Sequence, residues 1–214
     1  MKYSGSKRCL DLFVSLSLCL ILSPVMFLVA FIVLVRDGWP VIFSHERAGL
    51  NGKVFVLYKF RTMKPFSHEQ GKERDAIRIT PVGHWLRKTS LDELPQLWNV
   101  IRGDMSLVGP RPLPVAYVDR YNDEQKQRLT VMPGITGWAQ INGRNALSWD
   151  EKFALDIWYV NHASCWLDMK ILFLTIFNVM LLKGIVHDSA MPDITMPEFL
   201  GEKSSSKDRK ARNA

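Results

Sequence analysis

Cysteine is scarce in this chain, and its pattern excludes two common kinds of small domain. The 214 residues include three cysteines, Cys9, Cys19 and Cys165, which form no Cys-x-x-Cys pair and accompany no histidine cluster. The sequence therefore predicts neither a disulfide framework nor a zinc site, and it favours a reducing, cytoplasmic setting. The chain also lacks the spacing of a P-loop or a dinucleotide fingerprint, so we infer no nucleotide-binding fold.

The charge balance is positive, with a formal net charge of +7. Lysine and arginine gather near the first apolar segment and in the tail, residues 203–212. Such a chain suits an anionic partner, whether a phosphate ligand, nucleic acid or anionic lipid, and charge alone does not choose among them. No segment has the pattern of a nucleic-acid-binding module. The length predicts one domain with a substantial core, or one domain plus an anchor.

Residues 9–35 form an apolar segment whose only charge is Asp11. It exceeds the ~20 residues that span a bilayer, and its length argues against a cleaved signal peptide. Ser23 and Pro24 lie in its middle, where proline bends a helix and serine can satisfy a freed carbonyl. Cations flank both ends, so the positive-inside rule places both ends in the cytoplasm. A re-entrant helix satisfies both features, while a straight span and a buried core helix stay open.

The rest of the chain has the patterns of an α+β domain that is mainly helical. Two β-rich runs, 41–44 and 54–58, predict a hairpin through a turn at residues 49–52. The polar stretch 64–75 predicts a mobile loop. Helical patterns cover residues 81–88, residues 92–100, residues 115–129 with a break at Asn122-Asp123, residues 148–161 and residues 169–185. Thr80 is the expected N-cap of the first of these helices, and Ser148 with Glu151 matches a capping box at the start of the fourth. The last has an apolar run of about 12 residues, too short to span, which predicts a buried or interfacial helix.

Two adjacent carboxylates, Asp92 and Glu93, are the most unusual local feature. Ser90 and Glu93 match a capping box, which makes the acids helix caps. Alternatively, the helix begins at Asp92, so that Pro95 lies harmlessly in the first turn. Both carboxylates then stand at the positive end of a helix beside Arg87, where they stay ionised. From the residues alone, capping and catalysis are both open.

Further cations are candidate phosphate ligands. Alternation along the second strand of the hairpin predicts that Lys59 and Arg61 share one face, for which a solvated surface is the equal alternative. Arg111 lies in a stiff loop with three prolines and Gly109, which suits a phosphate clamp and is otherwise a connector. Arg144 ends a second glycine-rich loop, residues 132–144.

Five motifs in this order resemble one family. They are the Ser23-Pro24 segment, Lys59-Phe-Arg-Thr-Met63, the Asp92-Glu93 loop, Val108-Gly-Pro-Arg-Pro112 and Pro133-Gly-Ile-Thr-Gly-Trp-Ala-Gln140. Together they resemble the bacterial sugar transferases, the monotopic phosphoglycosyl transferases that use polyprenol phosphate, over roughly residues 5–185. The resemblance implies a re-entrant membrane anchor over residues 1–36 and a catalytic domain over 37–200, on the cytoplasmic face of the bacterial inner membrane. It also implies an interfacial helix at about 167–185 and a disordered basic tail, 201–214.

The implied reaction moves a sugar 1-phosphate from a UDP-sugar to undecaprenyl phosphate and releases UMP, as the first membrane step of glycan assembly. By resemblance, Asp92 is the nucleophile that forms a phosphosugar intermediate, and Glu93 moves protons or holds the metal. Mg²⁺ is the implied cofactor, held by Asp92 and Glu93. The implied substrate ligands are Arg87, Arg111, Lys59, Arg61 and Arg144. Anionic membrane lipid is a further implied partner, and downstream glycosyltransferases or a homodimer are compatible with this reading.

Two other classes fit parts of the pattern. A membrane-bound, metal-dependent phosphohydrolase would use the same carboxylates and cations with water as the acceptor. A non-catalytic membrane adaptor would use the basic residues to bind anionic lipid or nucleic acid, and would keep its function without the Asp92 carboxylate.

Overall fold

A long helix lies against a small, mainly helical domain in the computed structural model, which describes residues 5–64, 78–143, 147–180 and 198–201. The helices are α1 (Gly5–Asp37), α2 (Pro81–Thr89), α3 (Gln96–Arg102), α4 (Trp138–Ile141), α5 (Trp149–His162) and α6 (Cys165–Met180). The strands are β1 (Ile42–Ala48), β2 (Val54–Phe60), β3 (Ser106–Val108) and β4 (Gly134–Thr136). The prediction of a mainly helical α+β domain is confirmed.

The predicted hairpin is present, and its strands are longer than predicted. β1 and β2 pair antiparallel, from Ile42 opposite Phe60 to Ala48 opposite Val54. Asn51 adopts the left-handed conformation in the connecting turn (φ 53°), as expected of the Asn-Gly sequence there. The hairpin therefore delivers the residues at the end of β2 to a fixed place in the domain.

A second pair of strands, β3 and β4, is parallel and escaped prediction. Each strand has three residues, too few for alternation to show. Glycines allow the two backbones to touch, because a Cβ on Gly134 would lie 2.1 Å from the nitrogen of Gly109. The close approach that Gly109 permits is thus made by another backbone segment.

By length and composition, α1 could cross a membrane, and no other helix among the described residues meets that test. Pro24 lies inside this helix, and the Ser23 hydroxyl donates to the Leu20 carbonyl at 2.8 Å. The first turns differ from the predicted anchor, because Lys7, Asp11 and Ser15 are buried against the domain. The apolar segment read from the sequence thus includes turns that belong to the protein core.

Polar contacts fix the first turns of α1. The Lys7 ammonium donates to Asp168 on α6 at 2.5 Å and to the Val108 carbonyl at 3.2 Å. The Tyr159 hydroxyl donates to the other oxygen of Asp168 at 2.7 Å. Asp11 accepts from the Leu107 N–H at 3.2 Å. Tyr159 therefore belongs to the core.

Two apolar clusters join α1 to the domain. Val14 and Leu18 pack on a cluster that includes Val100 of α3 and Ile171 of α6. Further along α1, Val29 and Val33 pack with Phe60 and Leu86. Each half of the long helix therefore packs into a core cluster of the domain.

The remaining helical predictions hold in part. The capping box of α5 is present, since Ser148 and Glu151 each accept from the other's backbone N–H. Residues 115–129 are broken at Asn122-Asp123 as predicted, but the two pieces are 3-10 helices, Val115–Arg120 and Gln125–Thr130. The polar stretch 65–75 lies outside the described residues, as does the tail from residue 202.

The last long helix, α6, is apolar on its buried face and also carries large exposed apolar side chains. Leu167 and Ile171 are buried, whereas Trp166, Phe173 and Phe177 are exposed. The predicted continuation to residue 185 lies outside the described residues. Phe199 packs edge-on to Phe153 of α5, with ring centroids 5.0 Å apart.

Candidate active site

The acid pair lies in a short 3-10 helix, Leu91–Glu93, between α2 and α3. Ser90 is left-handed (φ 57°) and its side chain makes no cap, so the predicted capping box is wrong. Its N–H instead closes the end of α2 on the carbonyls of Leu86 and Arg87. The alternative start at Asp92 is also wrong, because α3 begins at Gln96 after Pro95. Neither carboxylate therefore serves as the cap of an α-helix.

Asp92 is buried, with 5% of its surface exposed. Burial, followed by the neighbouring charge of Glu93, raises the pKa of Asp92 to about 6, against the opposing effects of Lys59, Arg111 and Arg87. The expectation that Arg87 and a helix dipole set its ionisation is thus corrected, since burial outweighs the cations. Because the pKa is still below 7, the carboxylate is mostly ionised at neutral pH.

Arg111 binds the second acid. Its guanidinium lies 2.5 Å from a Glu93 oxygen, and the charge of Glu93 is the main cause of the raised pKa of Arg111. About half of the Arg111 side chain, 47%, is exposed, so the cation stays accessible to a ligand. The stiff Gly-Pro-Arg-Pro loop therefore does bring an arginine to the acid pair.

A buried ion pair supports that loop from behind. Arg128 donates to the Arg111 carbonyl at 2.7 Å, to Asp156 at 2.8 Å and to the Tyr121 hydroxyl at 3.0 Å. Burial lowers the pKa of Arg128, but the charges and hydrogen bonds of Asp156 and Tyr121 together outweigh burial, and the pKa is raised. The sequence did not assign this role to Arg128, because 28 residues separate it from Asp156 and no local pattern links them.

Two further cations come from other elements. Lys59, near the end of β2, has its pKa lowered by burial, while Asp92 acts on it in the opposite sense. Arg87, in the last turn of α2, donates from Nε to the Thr62 hydroxyl at 3.0 Å. The helix α2 sits so close that a Cβ on Gly83 would lie 2.0 Å from the Thr62 carbonyl oxygen. The end of β2 thus supplies one cation, Lys59, and the nearby Thr62 hydroxyl orients a second, Arg87.

The structure places Arg61 elsewhere. Its guanidinium donates to the carbonyls of Trp39 (2.9 Å), Gly38 (2.6 Å) and Asp37, at the end of α1. β2 ends at Phe60, so the alternation that would align Arg61 with Lys59 stops one residue early. These contacts give Arg61 a structural role in fastening α1. Arg144 lies outside the described residues.

The acid pair suits a cation that also binds the substrate. Among the described residues, no group of three or more His, Cys, Asp and Glu side chains could hold a metal ion. Mg²⁺ is often bound by one or two carboxylates, with substrate phosphates and water completing its shell. Asp92 and Glu93 fit that arrangement, although Arg111 already occupies one oxygen of Glu93.

A buried, ionisable carboxylate with three cations in its electrostatic surroundings suits phosphate-bearing substrates, and α1 is long and apolar enough to cross a membrane. Comparison with known proteins identifies the family. A model of the family described as bacterial sugar transferase matches residues 2–182. The chain therefore belongs to the bacterial sugar transferase family.

Relatives of two lengths support the assignment. The chain is 49% identical to the uncharacterized sugar transferase EpsL of Bacillus subtilis, over 91% of this chain and 96% of that protein. It is 44% identical to the undecaprenyl-phosphate galactose phosphotransferase of Salmonella typhimurium, over 79% of this chain. It is 40% identical to the UDP-glucose:undecaprenyl-phosphate glucose-1-phosphate transferase of Escherichia coli, over 86% of this chain. The matches cover 39% and 41% of those two longer proteins.

Proposed function

We propose that this protein transfers a sugar 1-phosphate from a UDP-sugar to undecaprenyl phosphate and releases UMP. The observation that carries the proposal is the buried Asp92 carboxylate, with its pKa near 6, facing Lys59, Arg87 and Arg111. The names of the Salmonella and Escherichia coli relatives supply the acceptor and the type of transfer. The reaction would begin glycan assembly at the membrane.

In the first step, an oxygen of Asp92 attacks the phosphorus that bears the sugar. A new bond forms between this oxygen and phosphorus, the bond to the bridging oxygen of the diphosphate breaks, and UMP leaves. The three cations offset charge on the phosphates, which is where such a transfer needs stabilisation. Because burial removes water from Asp92, its carboxylate is less solvated and reacts more readily.

In the second step, an oxygen of undecaprenyl phosphate attacks the same phosphorus and displaces Asp92. The carboxylate is regenerated, which gives a two-step displacement through a covalent intermediate. Glu93 holds Arg111 against the reacting phosphate and is placed to assist proton movement at the acceptor. Mg²⁺, held by Asp92 and Glu93 together with the diphosphate, would neutralise charge on the departing nucleotide.

An apolar groove beside α1 supports a lipid acceptor. It has a volume of about 320 Å³, and its lining includes Ser23, Met26 and Phe27 of α1 together with Phe60 and Pro95. Phe60 adjoins Lys59, and Pro95 is two residues from Glu93. A prenyl chain in this groove would hold its phosphate at the site.

The test is exchange of labelled UMP into a UDP-sugar without any lipid acceptor. We expect the wild-type protein with Mg²⁺ to catalyse exchange, because the covalent intermediate forms before the acceptor enters. The panel should include UDP-galactose and UDP-glucose, and product formation should then require undecaprenyl phosphate. Sugar phosphate released to water at the same rate with or without the lipid would indicate a phosphohydrolase instead. If the protein turns over no donor, a non-catalytic membrane adaptor becomes the better explanation.

We propose further that α1 enters the membrane from the cytoplasmic side and returns to it. Both ends of the helix bind one domain: Arg8 donates to the carbonyls of Val100 and Ile101, and Asp37 accepts from the Thr80 hydroxyl at 2.8 Å. A straight span would separate the two ends by the bilayer. Pro24, where a backbone hydrogen bond is missing, is the natural place for a bend.

Cysteine labelling tests this topology. Cys9 and Cys165 are both exposed, so variants that keep only one of them can be compared. With a membrane-impermeant maleimide, we expect both to react in inverted vesicles and neither in intact cells. Reaction of Cys9 from outside intact cells, with Cys165 still protected, would establish a straight span.

A further inference from the structure

Arg47 lies beside the loop that carries Arg111. It belongs to β1, where it pairs with Phe55, and its backbone also forms a bridge with Pro114. The next N–H, that of Ala48, donates to the Leu113 carbonyl at 3.1 Å. The end of β1 is thus hydrogen-bonded to the residues that directly follow the Gly-Pro-Arg-Pro sequence, and two arginines stand on adjoining segments.

The environment of Arg47 is positive and partly buried. Burial, followed by the charge of Arg111, lowers the pKa of Arg47 to about 10, so it stays cationic at neutral pH. Lys152 on α5 is a further cation in the electrostatic surroundings of Arg111, since burial and then the charge of Arg111 lower its pKa. The acids nearby are already engaged, Glu93 by Arg111 and Asp156 by Arg128.

Other inward-facing arginines in this protein have structural partners. Arg8, Arg61 and Arg128 each donate to backbone carbonyls. The Arg47 side chain makes neither a hydrogen bond nor an ion pair with any residue that the structure describes. A half-buried guanidinium that faces another cation without an acid of its own is costly, and an anionic ligand removes that cost.

We propose that Arg47 and Arg111 together bind the phosphate that leaves with the nucleotide. This rests on the proposed function. Arg111 contacts Glu93 of the acid pair at 2.5 Å, and the residues that follow Arg111 in its loop are hydrogen-bonded to the end of β1 that carries Arg47. Arg111 therefore lies between the acid pair and Arg47, where it can contact both phosphates of a diphosphate. The phosphorus under attack lies on the Asp92 side, and the nucleotide phosphate lies on the Arg47 side.

Binding of UMP to the full-length protein, measured calorimetrically in detergent without acceptor, tests the assignment. We expect Arg47→Gln to weaken UMP binding about 10- to 100-fold, the usual effect of losing a charged hydrogen bond. Arg47→Lys, which keeps the charge and loses the planar fork, should fall between. Arg102→Gln is the matched control, because that arginine is half-exposed and pairs with Asp104. Its UMP affinity should equal that of the wild type.

Steady-state kinetics then separate the two possible sources of the phosphate. The KM for the UDP-sugar should rise in Arg47→Gln, while the KM for undecaprenyl phosphate stays constant. A rise in the lipid KM alone, with unchanged UMP affinity, would overturn the assignment to the donor. Thermal unfolding without ligand checks that each variant is folded. If Arg47→Gln is not folded, Arg47→Lys is tested in its place. If the wild type neither binds UMP nor turns over any donor, the proposed function fails. If the wild type is active and Arg47→Gln binds UMP and turns over the donor equally well, this inference alone fails.

Discussion

Asp92→Asn is expected to abolish sugar-phosphate transfer and, at the same time, to stabilise the folded protein at neutral pH. Activity is lost because an amide oxygen cannot replace the attacking carboxylate, and UMP exchange should fall by at least about 1,000-fold. Stability is gained because the neutral amide no longer places a charge in a buried site. A residue that only capped a helix would show the opposite change in stability.

The direction of this stability difference follows from the direction of the pKa change. The pKa of Asp92 rises from 3.8 to about 6 on folding, so the folded state resists ionisation of this carboxyl above its unfolded pKa. The resulting loss of stability is absent below about pH 4, grows as the pH rises, and is complete above about pH 6. Two pKa units correspond to about 3 kcal/mol at most. The wild type should therefore be less stable than Asp92→Asn at pH 7 and nearly equal to it at pH 4.

Chemical unfolding of both proteins in detergent at the two pH values measures this difference. Asp119→Asn is the control, because Asp119 is exposed. The exchange rate of the wild type should also decline as the pH falls through about 6, when Asp92 becomes protonated. Undiminished exchange by Asp92→Asn would remove Asp92 as the nucleophile. An unchanged stability at pH 7 would show that burial does not raise its pKa.

Asp156→Ala is expected to lower the free energy of unfolding by about 3–5 kcal/mol, the usual effect of leaving one member of a buried ion pair alone. Both Asp156 and Arg128 are buried, and two guanidinium nitrogens of Arg128 lie 2.8 and 3.2 Å from the carboxylate. Transfer activity should fall too, because Arg128 also holds the Arg111 carbonyl. Asp123→Ala, at a fully exposed position, is the stability control.

The double variant Asp156→Leu with Arg128→Met separates stability from positioning. Replacing both charges by apolar groups of similar size is often neutral or stabilising, so the free energy of unfolding should recover. Activity should stay low, because no group then donates to the Arg111 carbonyl. Full activity in the double variant would show that Arg128 stabilises the protein without positioning Arg111.

Local chemistry predicted the elements that depend on neighbouring residues. The start of α2 after Thr80 and the capping box of α5 are each decided within one turn, since the side-chain oxygen and the N–H it accepts from are three residues apart. The β1–β2 hairpin followed from two β-rich runs and an Asn-Gly turn. The order of motifs also identified the family, which the match over residues 2–182 confirms.

Predictions failed where a distant segment decided the outcome. Ser90 has the sequence of a cap, but the end of α2 places it in a left-handed turn. Lys7 precedes and Asp11 lies within an apolar run that resembles a membrane segment, yet each has a partner about a hundred residues away. β3 and β4 are too short for periodicity to reveal, and each exists because the other is beside it.

By itself, the sequence determined which residue types are present at the site: a carboxylate pair, a stiff loop with one arginine, and a membrane-compatible helix. The tertiary structure alone decided the chemistry of the pair. Asp92 is buried and faces Lys59, Arg87 and Arg111 because a strand, a helix and a loop from separate parts of the chain meet there. A pKa depends on burial and on charges in space, which neighbours in sequence do not set.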